Sequence, residues 1–111
     1  MFHDVKWSPS EKKIARRAFD TALESALAKV MAEFKRKANA ASTPSEMWEI
    51  EGYLRQQRRE IDESFDYRYS QLPLVFARLI REARLDESLL AGLSEEKLEI
   101  IRSFLAFAPE G

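Results

Sequence analysis

Few side chains in this sequence could do chemistry, and their spacing is helical. Glu60 and Glu63, and Asp62 and Asp66, stand three or four residues apart, which places each pair on one helix face. That is the arrangement of paired-carboxylate and di-metal sites. Here the acids are interleaved with Arg58, Arg59 and Arg68, so they read as solvated ion pairs along a helix. A di-metal helical bundle draws on Glu-x-x-His pairs. The one histidine is His3, in an N-terminal arm. Cysteine is absent, which removes a thiol nucleophile, disulfides and thiolate metal sites. No glycine-rich loop is available to cradle a phosphate. The chain therefore reads as a non-enzyme, with no metal and no cofactor.

The remaining chemistry is recognition. Arg55, Arg58 and Arg59 form a basic cluster suited to phosphate, but Glu51, Glu60, Asp62 and Glu63 surround it. The net charge of −1 supplies no bulk attraction to nucleic acid or an anionic membrane. Trp48 stands one residue off the apolar seam set by Met47, Ile50 and Leu54. Aromatic residues beside arginine are the usual anchors of protein–protein contacts. Trp48, Tyr53, Arg55 and Arg58 are thus the candidate partner-binding patch. Spacing alone leaves two placements for Trp48, exposed to a partner or packed on the first helix of its own chain or of the other protomer.

The elements that must hold this patch are long helices. With 33% charged and 45% hydrophobic residues the 111-residue chain is a folded single domain rather than a disordered one. Three glycines and four prolines permit few turns. There is no apolar leader segment and no apolar run of about 18 residues, which, with the missing cysteine, fits a cytoplasmic protein. Residues 1–7 read as an arm. Ser8-Pro9-Ser10-Glu11 is a helix start, with a hydroxyl cap, Pro at the first helical position and Glu at the third. Leu23, Leu27, Val30 and Phe34 carry that helix to Asn39–Ser42, a length of roughly 45 Å. Thr43-Pro44-Ser45-Glu46 repeats the start signal. Met47, Ile50, Leu54 and Ile61 form the next seam, which shifts phase between Ile61 and Phe65. Phe65, Tyr69, Leu72, Phe76, Leu79 and Ala83 continue it, with a kink or break predicted near Gln71–Pro73. Asp86 and Ser94 cap two short C-terminal helices, over residues 86–90 and 95–107. Two long helices with narrow seams leave apolar surface uncovered, so the pattern predicts an all-α, elongated homodimer. In it two antiparallel helices (residues 8–72) form a four-helix-type stalk, and a helical head (residues 73–111) sits on each chain. Met47, Ile50, Leu54 and Ile61 lie in the dimer interface.

Trp48-Glu49-Ile50-Glu51-Gly52-Tyr53-Leu54, Arg58-Arg59-Glu60-Ile61-Asp62 and Phe65-Asp66-Tyr67-Arg68-Tyr69-Ser70 together resemble the fluorescence recovery protein family of cyanobacteria. Leu74-Val75-Phe76-Ala77-Arg78-Leu79 is similar to it as well. The resemblance implies an all-helical homodimer that holds no chromophore. It implies binding to the C-terminal domain of photoactivated orange carotenoid protein, faster red-to-orange relaxation, and an end to quenching at the phycobilisome. The family's activity patch lies around the tryptophan and arginine that Trp48 and Arg58 match. Where photoprotective members carry a His-Asp pair, this chain has Glu51 and Gly52, which the resemblance adds to the partner-binding residues. The alternative is therefore a dimeric helical interaction module of the same kind with a different protein partner.

Overall fold

The computed structural model describes residues 6–107. Their order is α1 (Pro9–Ala40), α2 (Pro44–Ser64), α3 (Leu72–Arg81), a 3-10 turn over Glu87–Leu90, and α4 (Glu95–Ala106). Among the described residues there is no strand. The described chain measures 53 × 30 × 21 Å. His3 and the tail at residues 108–111 lie outside it.

Both start signals fold as capping boxes. Ser8 Oγ accepts from Glu11 N at 3.2 Å, and Glu11 Oε1 accepts from Ser8 N at 3.0 Å. Thr43 and Glu46 repeat the exchange at 3.1 Å each way. Two free N–H groups at each helix start are satisfied in this way. Asp86 and Ser94 cap the last two elements through Ser88 N and Lys97 N.

α1 and α2 run antiparallel, with Lys37 opposite Tyr53 and Phe19 opposite Phe65. The head is built from more of the sequence than its last third. Ala15, Ala18, Phe19 and Ala22 of α1 join Leu72, Val75, Phe76, Leu79, Leu90 and Ile101 in one buried cluster. Small alanine side chains let the later helices approach α1 closely. Each fully buried Phe or Leu contributes about 1.5–3 kcal/mol. α1 is thus shared: its first half lies in the head and its second half forms the stalk with α2.

Trp7, assigned to the arm from sequence, is buried in that cluster. Lys97 Nζ lies 5.1 Å from its ring centroid, and its ring packs against Tyr69. Lys97 also pairs with Glu11 at 3.1 Å, and both side chains are buried. Glu11 Oε2 accepts from Ser94 N at 2.8 Å. One carboxylate therefore ties the N-terminus of α1 to that of α4.

The second helix breaks earlier than its seam predicts. α2 stops at Ser64, at the phase shift, and not at Gln71–Pro73. Pro73 sits in the first turn of α3, where its missing N–H is harmless. Aromatic packing decides the break. Phe65 and Tyr67 both meet Phe19 edge-on, with ring centroids 5.4 and 4.9 Å away. Residues two apart on a helix point to opposite sides, whereas in extended chain they share one. Only a non-helical segment can put both rings on Phe19. α3 likewise ends at Arg81, short of Arg84. Ala83 takes the left-handed conformation (φ 61°), Ala83 N donates to Ile80 O and Arg84 N to Leu79 O.

Candidate functional site

α2 is amphipathic over its whole length, and its spacing sorts the candidate residues into two faces. At about 100° per residue, Met47, Ile50, Leu54 and Ile61 fall within about 60° of one another. Ile61 is buried, Ile50 and Leu54 are half-buried, and Met47 is 51% exposed. On α1, Leu23, Leu27, Met31 and Phe34 form a similar stripe, with Leu27 49% and Met31 53% exposed. In an antiparallel pair with Lys37 of α1 over Tyr53 of α2, and with Ala26 and Ile61 buried, both stripes turn to the same side of the hairpin. The stalk therefore presents one continuous apolar face that a single chain leaves uncovered.

Trp48, Glu51, Gly52, Arg55 and Arg59 occupy a second face, turned away from α1. Trp48 is 65% exposed, so it does not pack on the first helix of its own chain. Glu51 and Arg55 form a direct ion pair one helical turn apart. The guanidinium hydrogen bond holds the Glu51 carboxyl below the usual carboxylate range. Arg58 lies between the two faces. Among the described residues, Arg58 and Arg59 enter no ion pair, so both carry charge available to a partner.

Tyr53 stands apart from the others. It is half-buried against α1, under Lys37 Nζ at 5.0 Å, and burial pushes its hydroxyl up from the ordinary tyrosine value. With Lys29, Val30, Gln57, Glu82 and Arg84 it lines a groove of about 370 Å³ between α1, α2 and the head. Of the expected residues, Trp48, Glu51, Gly52 and Arg55 share one exposed face of α2, Arg58 flanks it, and Tyr53 lies on the far side. Arg59, left out of the patch from sequence, shares this exposed face: it lies eleven residues, three helical turns, from Trp48.

Asp66 is held by Arg68 at 2.9 Å, which lowers its carboxyl, and Glu60 accepts from Gln56 at 3.1 Å. Among the described residues no group of three His, Cys, Asp or Glu side chains is placed to hold a metal ion, and no helix is long and apolar enough to cross a membrane.

Comparison with known proteins places this geometry among described helical regulators. Residues 7–105 match the family model described as photoprotection regulator fluorescence recovery protein. The fluorescence recovery protein of Synechocystis sp. PCC 6803 is 27% identical over 100 residues, covering 90% of this chain and 92% of its own. The solved structure of the Fremyella diplosiphon fluorescence recovery protein superposes with a TM-score of 0.84 at 34% identity, covering 89% of this chain and 97% of that one. The Synechocystis structure gives 0.85 at 27% identity, covering 91% and 99%.

Proposed function

The chain belongs to the family of the photoprotection regulator fluorescence recovery protein, and we propose that it acts, without catalysis, by binding a partner protein as a homodimer. The partner in this reading is the C-terminal domain of photoactivated orange carotenoid protein. Binding speeds its red-to-orange relaxation and ends quenching at the phycobilisome. A binder shortens such a relaxation only by holding the barrier region more tightly than the red form. The observation that carries the reading is Trp48. A large aromatic side chain stands in solvent on a rigid helix, beside free arginines, where it serves nothing within its own chain.

The apolar side of the hairpin is the dimer face in this reading. Leu27→Glu, at its centre, is expected to raise the dimer dissociation constant by at least about tenfold, because a charge is buried unpaired. The head should be untouched. Light scattering across a dilution series, with circular dichroism on the same samples, checks both points.

The reading is tested by the dark relaxation of a photoactivated orange carotenoid protein with and without this chain. Faster relaxation is the expected result. Glu51 and Gly52 support a second reading, in which the dimer serves a different protein, since a patch with rearranged charge recognises a different surface. An unchanged rate from an intact helical dimer favours that second reading.

A further inference from the structure

The groove beside Tyr53 takes no part in the exposed face of α2, and its polar lining is unevenly satisfied. Its acids already have cations. Glu33 accepts from Arg36 Nε at 3.0 Å and lies 3.7 Å from Lys37 Nζ. Glu82 faces Arg84, with Nε and Oε1 3.8 Å apart, beyond hydrogen-bond reach. The donors have less. Among the described residues Lys29 enters no ion pair, and neither the Gln57 amide nor the Tyr53 hydroxyl makes a hydrogen bond. Arg84 Nη1 is buried with no acceptor. A buried donor left unpaired is rare in a folded protein.

These groups converge from three elements. Lys29 stands on α1, Tyr53 and Gln57 on α2, and Arg84 just after α3. Ala26, Val30 and Ile61 add apolar wall between them. A groove of about 370 Å³ is the size of a small-molecule site, in which apolar wall and a few convergent polar groups fix one ligand. The groove also stays open in a dimer. Lys29 is two residues from Leu27 and from Met31, so it points away from the apolar stripe that a second copy would cover.

We infer that this groove binds a small organic anion. Lys29, Gln57 and Arg84 take its carboxylate or phosphate oxygens, and its apolar body lies on Val30 and Ile61. Lys29 has no acid of its own and Arg84 only a distant one, so the groove favours negative charge. A ligand held there touches α1, α2 and the end of α3 together, and so clamps the stalk to the head. The site does not depend on which protein the exposed face of α2 recognises.

Benzoate and phenyl phosphate are the probes, with benzyl alcohol and inorganic phosphate as controls, each titrated into the full chain and followed by amide NMR. Shifts should gather at residues 26–33, 53–61 and 82–84, which line the groove. Dissociation constants on the order of 1 mM are expected for so small a ligand. Benzoate at ten times its constant should raise the melting temperature by several degrees. Lys29→Met, at an exposed position, should weaken benzoate by about threefold to tenfold without altering the melting temperature of the free protein. Lys29→Arg should keep the binding. Lys12→Met removes the same charge from the head and should leave the binding unchanged. Benzyl alcohol binding as tightly as benzoate overturns the anion assignment. Inorganic phosphate binding as tightly as phenyl phosphate, or equal losses from Lys29→Met and Lys12→Met, reduces the binding to diffuse charge and overturns the site. Absence of shifts at the groove with both probes overturns it as well.

Discussion

Glu11→Ala should destabilise the protein by about 3–5 kcal/mol, because it strands a buried Lys97 and leaves the Ser8 and Ser94 N–H groups at two helix starts without their acceptor. Glu11 Oε1 accepts from Ser8 N at 3.0 Å and Lys97 Nζ at 3.1 Å, and Oε2 accepts from Ser94 N at 2.8 Å. Burial pushes this carboxyl up. The Ser8 and Ser94 N–H groups and Lys97 outweigh burial and bring it down to about 2 from 4.5. A carboxyl depressed in the folded state adds stability that is fully present above its unfolded value. That stability is lost as pH falls through the folded value. The window here runs from about pH 4.5 to pH 2, and on the order of 3 kcal/mol is at stake. Urea unfolding across that range checks it, and Glu11→Ala should flatten this part of the acid limb. Lys97→Met should be milder than Glu11→Ala, since the carboxylate keeps both backbone donors. Equal losses would assign the stabilisation to the ion pair rather than to the two helix starts.

Trp48→Ala should weaken partner binding by about 2–4 kcal/mol, or roughly thirtyfold to a thousandfold. The same change should leave folding stability within about 0.5 kcal/mol, because the side chain is 65% exposed and lies outside the buried cluster. Titration of photoactivated orange carotenoid protein gives the first quantity and thermal unfolding the second. A dimer that dissociates in step with the lost binding would place Trp48 in the seam between copies. Trp48→Phe, which keeps an aromatic wall, should recover part of the affinity.

The helix starts were legible because their determinants are local. Ser8-Pro9-Ser10-Glu11 and Thr43-Pro44-Ser45-Glu46 hold cap, first turn and return bond within four residues. Asp86 and Ser94 were legible for the same reason. The end of α2 was not, because a distant residue decides it. Phe65, Tyr67 and Tyr69 alternate with period two, the mark of an extended segment, inside a stretch whose period-3.6 apolar residues read as helix. Phe19, on another helix, makes the alternation win. Trp7 and Lys97 were hidden similarly: their partners lie at opposite ends of the sequence, and no spacing encodes that contact. Within the candidate site, simple rotation could have separated Tyr53, which sits about 140° around the helix from Trp48. The same arithmetic would have admitted Arg59.

α1 belongs to two structures with different means of support. Its buried residues end at Ala26, so the remaining fourteen residues of the helix have no complete core within one chain. α2 contributes only Ile61 and Ser64 to the interior. Local opening should divide the molecule there and not at a helix boundary. Amide exchange in the first half of α1 and in α3 should follow global unfolding at any protein concentration. In the proposed homodimer, exchange beyond Ala26 and along α2 should quicken on dilution, as the apolar side of the hairpin loses its cover. One uninterrupted helix would then exchange as two cooperative units, and the occupancy of a surface would set how much of it is ordered.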